Sequence, residues 1–522
     1  MEILRKNVHM SRRKSQVISQ VTLDSDCNVP DARPDVEKLV LDRGEVRVEE
    51  VKPDKDRISL KGYLEVEVLY ASAGAGAGIQ AVDTRLPFDE VIHMEGIEPG
   101  DNLKIDWEME DLRVSAINSR KLGIRSIVTF TAAAEEIYDE ELARGLEQNV
   151  DVQQKNRDIR VLKLMVNKKD TFRVKEEVLL AGNQANIAQL LWKDAQLQGV
   201  ETRLLDDQVS LKGEIQLFVL YEGENEDQIQ WVSSRIPFSG MVDVSGCSPD
   251  MVGDIRVSIL QKNVEAKPDR DGEERALQAE AVLELDLRIY EEETVPLLED
   301  AYSLSRKLLL TREQVKLDTL RMKNFARATY HDRLKVRMED LSVLQILSCT
   351  GRVVVEETRR VAGGLEAEGV VLVEIIYITA SDRTPVCRAR GEVPFTHLLE
   401  VPELDENCTY TLDGALEQIS ASMVDSEEAE VRATIDFHLL VHAPLLCENI
   451  REIQEAPLDY KELQELPGIV GCIVGKPEAL WEIAKKYYTT VENICRMNGI
   501  SGDHIRPGQK ILVVKSVKTG EI

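Results

Sequence analysis

The sequence contains few of the groups that bind metals or carry out covalent chemistry. It has seven histidines, and its eight cysteines are widely separated, with no Cys-x-x-Cys pair. Zinc sites and dithiol redox motifs need closely spaced ligands, so this spacing argues against both. No Ser or Cys lies in a Gly-x-Ser-x-Gly nucleophile motif. We therefore expect no enzyme activity, no metal and no cofactor, and we interpret the thiols as reduced core residues of a cytosolic protein.

One histidine pair has a spacing that would suit a metal on a helix. His438 and His442 are four residues apart. However, apolar residues alternate from 431 to 441, which predicts a strand. At ~3.3 Å per residue the two imidazoles would stand ~13 Å apart on a strand, too far to share one ion.

Long apolar segments and positive charge are also scarce. The longest apolar run, 369–380, is too short to cross a bilayer and contains Glu374. The basic segment 1–15 is not followed by the apolar stretch of a secretory signal. With 94 Asp and Glu against 65 Lys and Arg, the formal net charge is −29. Because phosphate binding needs a basic surface, we expect no nucleic-acid partner. Because the longest apolar run is too short to cross a bilayer, we expect no membrane insertion.

The charge is unevenly distributed along the chain. Residues 467–522 carry 8 Lys and Arg against 5 Asp and Glu, a net charge of +3, so the first 466 residues carry −32. The total of 522 residues predicts three or four domains, and 43% hydrophobic residues are enough to form their cores. The C-terminal tenth is therefore expected to be a separate module.

Three segments of the acidic part repeat the same landmarks. Each has a glycine eight residues before a tyrosine and 24 or 25 residues before a proline that precedes phenylalanine. The three glycines are Gly62, Gly213 and Gly369. Eighteen residues before each glycine lies another small residue, Gly44, Ala195 or Gly351. Landmarks in register over three segments indicate an internal repeat.

The residues of the repeat predict a β-sandwich with a minor helical element. Leu64, Val66, Val68 and Tyr70 alternate, as do their counterparts in the other copies, which predicts a strand with one face in a core. The i, i+3, i+4 spacing of residues 36, 39 and 40 predicts a helical turn. The Pro-Phe sites should lie at turns or on edge strands. The charged connectors 135–158 and 290–310 are expected to be partly helical.

The predicted fold class is mainly β, with three tandem antiparallel β-sandwich-like modules and a small C-terminal domain. Repeat 1 covers residues 10–150, repeat 2 covers 160–300, and repeat 3 covers 315–450. A linker, 451–466, leads to the C-terminal domain at 467–516.

The C-terminal module has the pattern of a β-α-α-β unit. A strand ends near Val474, and residues 480–487 and 491–495 form two amphipathic helices. Thr489 or Thr490 can cap the second helix, and Asn498-Gly499 suits its left-handed exit. Pro507-Gly508 then makes a turn into the strand 510–514.

These residues resemble a LysM domain, through Leu480-Trp481-x-Ile483-Ala484, Thr490-Val491, Asn498-Gly499-Ile500 and Ile505-x-Pro507-Gly508-Gln509-Lys510-Ile511. The resemblance implies a groove, usually for N-acetylglucosamine polymers, between the loop before the first helix and the loop after the second. The family's Gly-Asp-Thr before Leu-Trp is here Pro477-Glu478-Ala479. Loss of the Thr hydroxyl weakens a sugar site, so the resemblance favours a protein ligand over a glycan.

We predict a partner-binding surface in this groove. Its residues are Pro477, Glu478, Ala479, Trp481, Asn498, Gly499, Ile500, Ile505 and Pro507. Trp481 has two interpretations, because a tryptophan beside the core positions 480, 483 and 484 either packs into the core or serves as an exposed aromatic anchor.

Three repeats followed by a LysM module resemble the SPOCS-LysM (DUF3794-type) spore-coat morphogenetic proteins of spore-forming Firmicutes. The resemblance covers nearly the whole chain. It implies a non-enzymatic scaffold in the mother-cell cytoplasm at the forespore surface. Its LysM would bind the basement-layer ATPase, stage IV sporulation protein A, and its repeats would be available to other coat proteins. The alternative is a LysM-type cell-wall protein that binds peptidoglycan or chitin.

Overall fold

The computed structural model describes residues 2–73, 78–147, 151–224, 229–336, 343–381, 384–475, 479–500 and 506–516. Over these ranges the strands form six three-stranded sheets and one two-stranded sheet, all of them antiparallel. In the same ranges no helix has the length and apolarity needed to cross a membrane. The predicted fold class, mainly β with three repeated modules and a C-terminal β/α domain, is confirmed.

The three repeats have the same six strands in the same order. Repeat 1 comprises β1 (Ile3–Asn28), β2 (Val36–Asp54), β3 (Arg57–Ser72), β4 (Ile79–His93), β5 (Asn102–Asn118) and β6 (Lys121–Leu146). Repeat 2 comprises β7 (Val152–Leu179), β8 (Ile187–Leu205), β9 (Gln208–Gly223), β10 (Ile229–Asp243), β11 (Val252–Pro268) and β12 (Glu274–Ser303). Repeat 3 comprises β13 (Lys307–Lys335), β14 (Val343–Val361), β15 (Gly364–Thr379), β16 (Val386–Glu400), β17 (Thr409–Met423) and β18 (Glu428–Ala456).

Each repeat packs two sheets against each other. In repeat 1 the strand orders are β2-β3-β4 and β1-β6-β5, and the other repeats follow the same plan. The predicted core residues Leu64, Val66, Val68 and Tyr70 on β3 are all at most 1% exposed, and their counterparts on β9 and β15 are also buried. The alternating pattern therefore identified the central strand of one sheet and the face that it buries.

The repeated glycine and phenylalanine lie directly opposite each other across two strands. Gly62 pairs with Phe88, as Gly213 does with Phe238 in repeat 2. A Cβ on Gly62 would lie 2.8 Å from the tip of the Phe88 ring. The glycine is therefore needed because an aromatic ring covers it. The preceding proline, Pro87, lies on the edge strand β4, as predicted, where no ladder hydrogen bond needs its nitrogen.

The helical turn predicted upstream of the central strand in each repeat is wrong. Residues 36–40 belong to strand β2, whose pairing with β3 shifts twice, after Val36 and after Leu39. Each β-bulge adds one residue to the strand and returns the next side chain to the same face. Two bulges in succession thus convert the strand period of two into an apparent spacing of three. The same pair of shifts occurs in β8 and β14.

The prediction that the connectors are partly helical is also wrong. The described residues of 135–158 and 290–310 lie mainly in the ends of β6 and β12 and the starts of β7 and β13. These ends continue the long antiparallel pairs β1–β6, β7–β12 and β13–β18. Strand structure therefore extends beyond the predicted repeat limits, and β18 continues to Ala456, inside the predicted linker 451–466. Cross-strand pairing satisfies these backbone groups, so helix is not required.

Within the described ranges the three repeats share three hydrophobic clusters in addition to their own cores. One joins the sheets around β3, β9 and β15 and includes Leu41, Leu69, Trp192, Phe218 and Ile376. The other two join the ends of the long strand pairs and include Val8, Leu142, Val161, Leu297 and Leu317 in one, and Ala143, Leu298 and Ile450 in the other. Because each cluster takes residues from all three repeats, the repeats form one packed body.

Polar contacts close this body into a ring. Arg43 of repeat 1 donates to Asp194 of repeat 2 at 2.7 Å. Gln196 of repeat 2 donates to the carbonyl of Gly351 in repeat 3. Arg388 of repeat 3 donates to Asp42 of repeat 1 at 2.6 Å. The contacts thus run from repeat 1 to 2, from 2 to 3 and from 3 back to 1.

Candidate functional site

The C-terminal domain has the predicted β-α-α-β order and is preceded by a short helix. Its elements are α1 (Tyr460–Glu465), β19 (Ile469–Ile473), α2 (Ala479–Lys486), α3 (Val491–Asn498) and β20 (Lys510–Val514). Strands β19 and β20 pair antiparallel. Leu480, Ala484 and Ile494 are buried, as the helical periodicity indicated, and Ile511 of β20 completes the core.

The predicted helix caps of this domain are confirmed. Thr490 is the N-cap of α3, and its hydroxyl accepts a hydrogen bond from the Asn493 amide at 3.0 Å. Gly499 ends the helix in the left-handed region at φ 62°, and its amide donates to the carbonyl of Cys495. The turn before β20 contains Gly508 at φ 85°, so both glycines lie where a side chain would be strained.

The residues predicted to bind a partner are only partly covered by the structure. Pro477, Glu478 and Ile505 lie outside the described residues, and Ala479 is described only as the first residue of α2. Trp481, Asn498, Gly499, Ile500 and Pro507 are described, and Gly499 and Pro507 are exposed. The role of the groove in binding stays a prediction.

Asn498 joins the end of α3 to β20. Its side-chain amide donates to the carbonyls of Ile494 at 2.8 Å and Leu512 at 2.7 Å. Its side-chain oxygen accepts from the Leu512 amide at 2.7 Å. The side chain thus pairs with Leu512 as a neighbouring strand would. This gives Asn498 a structural role that the sequence pattern did not reveal.

Trp481 contacts repeat 2, an arrangement that neither sequence interpretation anticipated. Its indole N–H donates to the carboxylate of Asp300 at 2.7 Å. Its ring meets the ring of Tyr302 edge to face, with the centroids 4.9 Å apart. Trp481 is half-buried, because one side of the indole packs against the last residues of β12.

Asp300 has three side-chain donors at this contact. Besides Trp481, the Nζ of Lys485 lies 2.8 and 2.7 Å from its two oxygens, and Arg312 lies at 3.4 Å. Burial by itself raises the pKa of Asp300, but the hydrogen bonds from Lys485 and Trp481 outweigh it and leave that pKa below its ordinary value. The carboxylate therefore stays charged at neutral pH.

Tyr302 completes the contact from the same strand. Its hydroxyl donates to the carbonyl of Thr489 at 2.7 Å, in a buried position. Burial, with a smaller effect from the charge of Asp300, raises the pKa of Tyr302, so its hydroxyl stays protonated and remains a donor. Leu304 follows and belongs to the same hydrophobic cluster as Leu480 and Ala484. Repeat 2 thus contributes side chains to the core of the C-terminal domain.

A cavity of about 1060 Å³ lies where the three repeats meet. Its lining includes Lys104, Asp254, Arg256, Lys323 and Glu417. Burial lowers the pKa of Lys104, and the nearby positive charge of Arg256 lowers it further. The lining mixes both signs of charge, so it favours no one class of ligand.

The closely spaced histidines pack against aromatic rings. His438 and His442 lie on strand β18, as predicted, and contact the rings of Phe325 and Tyr290. Across the described ranges no three His, Cys, Asp or Glu side chains group as a metal site. No disulfide joins any of the eight cysteines, all of which lie in the described ranges, and Cys247, Cys387, Cys408 and Cys447 are buried.

The comparisons with known families agree with this architecture. The family model described as SipL, SPOCS domain, matches residues 35–117, 186–267 and 342–424, once in each repeat. The model described as LysM domain matches residues 472–514. No curated protein and no solved structure matches the chain. SPOCS and LysM domains are non-catalytic binding domains, and together they fit a protein of the spore coat or one that binds the cell wall. With three SPOCS domains followed by one LysM domain, the chain belongs to the SPOCS-LysM family.

Proposed function

We propose that this protein is a non-enzymatic scaffold for assembly of the spore coat. It works in the mother-cell cytoplasm at the forespore surface, where its LysM domain binds the basement-layer ATPase, stage IV sporulation protein A. The observation that carries the proposal is the domain order, three SPOCS domains followed by a LysM domain. The shared clusters support a structural role, because they join the three repeats in one packed body.

The LysM sequence supports a protein ligand. Where the family has Gly-Asp-Thr, this chain has Pro477-Glu478-Ala479, which lacks the threonine hydroxyl. A site that binds sugar through hydrogen bonds loses much affinity when one of its polar groups is missing. The acidic body, at −32, also offers a surface for basic regions of other coat proteins.

Binding of the purified full-length chain to purified stage IV sporulation protein A tests this proposal. We compare the natural chain with Glu478→Lys in the predicted groove and with Glu492→Lys as the control. Both substitutions change the charge by the same amount. Glu492 is exposed in the first turn of α3 and lies outside the predicted groove, so it reports the effect of charge alone. We expect Glu478→Lys to weaken binding at least tenfold and Glu492→Lys to leave it within twofold.

The cell-wall alternative is favoured by the LysM match itself, since that domain suggests glycan binding. Titration of the same full-length chain with N-acetylglucosamine oligomers and peptidoglycan fragments distinguishes the two. Saturation by the sugars at micromolar concentration, without binding of the ATPase, would replace the scaffold proposal with the cell-wall one.

A further inference from the structure

The bulges in the long strand pairs provide an alignment of the three repeats that is independent of sequence similarity. Each pair has one register shift near its end, which leaves Arg144, Glu299 or Arg451 unpaired. The residues that follow, Gly145, Asp300 and Glu452, are therefore equivalent positions. Two residues further on, Glu147, Tyr302 and Gln454 correspond in the same way.

Only repeat 2 has Asp at the first of these positions and Tyr at the second. Repeat 2 is also the repeat that contacts the LysM domain through these two residues. Asp300 is only 7% exposed. At the equivalent positions, repeat 1 has Gly145, which has no side chain, and repeat 3 has Glu452, which is exposed to solvent. Tyr302 is 5% exposed and its hydroxyl is bonded to the LysM backbone. The three repeats thus differ in sequence at the position where the LysM domain packs.

The segment that connects repeat 3 to the LysM domain also contacts that domain. The Nζ of Lys515, just after β20, donates to the carbonyls of Leu463 at 2.7 Å and Leu466 at 3.1 Å. Leu463 belongs to α1, the helix between repeat 3 and the LysM domain, and is buried. The connection therefore packs against the domain, and these contacts add to those from repeat 2 in opposing its rotation.

We propose that Asp300, Tyr302 and Leu304 form a docking seat, specialised in repeat 2, that holds the LysM domain in one orientation on the three-repeat body. Trp481 and Lys485 are the positioning residues of the LysM domain at this seat. The chain then presents its LysM groove at a defined place on a rigid body. This inference goes beyond the proposed function, because it holds whatever the groove binds.

The chemistry of the contact explains why the seat is specific for the LysM domain. The carboxylate of Asp300 is buried, and such a group needs hydrogen-bonding or charged partners. Lys485 supplies charge and Trp481 supplies an N–H beside an aromatic face. When the domain leaves, Asp300 keeps the Ala301 amide and Arg312 at 3.4 Å but loses Lys485 and Trp481, while Tyr302 and Leu304 become exposed. Undocking is therefore unfavourable, because the buried carboxylate loses hydrogen-bond donors and apolar side chains become exposed to water.

Hydrogen–deuterium exchange on the full-length chain tests the seat without any partner. We expect Asp300→Ala to speed exchange in peptides that cover 479–500, and to speed protease cleavage in 457–468, by more than tenfold. Glu452→Ala changes the equivalent carboxylate of repeat 3 and should leave both rates within twofold. Trp481→Phe keeps an aromatic ring but removes the N–H, so it should act in the same direction with a smaller effect.

The double variant separates positioning from general loss of stability. If Trp481 acts through Asp300, Trp481→Phe adds little to Asp300→Ala. Peptides from β3, β9 and β15 serve as an internal reference and should exchange as in the natural chain. Unchanged exchange over 479–500 in Asp300→Ala, or equal effects of Asp300→Ala and Glu452→Ala, would overturn the proposal. Failure to bind the ATPase would leave this result unaffected.

Discussion

Phe88 lies across from Gly62 on the neighbouring strand, and its ring occupies the space that a Cβ on Gly62 would need. A Cβ there would also lie 2.1 Å from the carbonyl oxygen of Arg47. Gly213 differs, because the nearest backbone atom, the carbonyl oxygen of Gln198, is 3.4 Å away. The pairing of β8 with β9 shifts by more residues at this point, between Gln198 and Glu201.

This difference predicts unequal costs for the same substitution in two repeats. Gly62→Ala should lower the free energy of unfolding by about 3 kcal/mol, since backbone has to move. Gly213→Ala should cost about 1 kcal/mol, because only the Phe238 ring has to shift. Urea denaturation of the full chain, monitored by far-ultraviolet circular dichroism, measures the free energy of unfolding of both variants. Equal costs would show that the backbone contact is unimportant.

The ion pair between repeats 1 and 2 should contribute strongly to the closed ring. Arg43 donates to Asp194 at 2.7 Å, lies over the Trp192 ring at 4.6 Å, and has a side chain only 19% exposed. Arg43→Ala leaves Asp194, whose side chain is only 19% exposed, with the Ala195 amide at 2.9 Å and the more distant Lys262 at 3.5 Å. We expect a loss of about 3 kcal/mol in the free energy of unfolding.

Arg85 provides a matched control for Arg43. It pairs with Glu65 at 2.9 Å and lies over the Tyr63 ring at 4.6 Å, but its side chain is 63% exposed. Since water solvates this pair, Arg85→Ala should lower the melting temperature much less than Arg43→Ala. If differential scanning calorimetry showed similar decreases in melting temperature for Arg85→Ala and Arg43→Ala, burial of the ion pair would not explain its contribution to stability.

Stability should fall as the pH drops below about 6.5, through His442. Burial lowers the pKa of His442 from the ordinary value of 6.5, and the charges of Asp318 and Asp254 oppose this only in part. The unfolded chain then binds a proton at higher pH than the folded chain does, so acid favours unfolding. This stability is complete above pH 6.5 and is lost as the pH falls towards the folded pKa.

Melting temperatures measured between pH 5 and 7.5 test this account. His442→Gln should flatten the fall over this range, because glutamine does not titrate. His438→Gln, at an exposed position on the same strand, is the control and should keep the natural pH dependence. An unchanged slope in His442→Gln would assign the acid sensitivity to other groups.

Asn498→Ala should destabilise the LysM domain, because it removes three hydrogen bonds to Ile494 and Leu512. We expect a cost of about 2 kcal/mol. Faster hydrogen exchange at the Leu512 amide would report it directly. Met497→Ala, at the neighbouring exposed position, should leave that exchange unchanged. A loss of partner binding in Asn498→Ala without faster exchange would restore Asn498 to the binding surface.

Patterns within one strand or one helix predicted the local structure correctly. The alternation around Val66 identified a buried central strand, and the residues Thr490 and Gly499 identified both ends of α3. These features depend on neighbours close in sequence, so they are readable without the fold. The helical turn predicted at Val36 was wrong because a β-bulge produces the same local spacing as a helix.

The three repeats, the face that each central strand buries, and the LysM unit with its altered loop can all be predicted from the amino-acid sequence. Alternation and capping depend on neighbouring residues, and repetition is visible when segments of the chain are aligned. The closure of the repeats into a ring and the packing of the LysM domain on repeat 2 are visible only in three dimensions. The contact of Trp481 with Asp300 joins residues 181 positions apart, and no local pattern relates them. Their meeting follows from the packing of complete domains, which buries a carboxylate only where the partner supplies its donors.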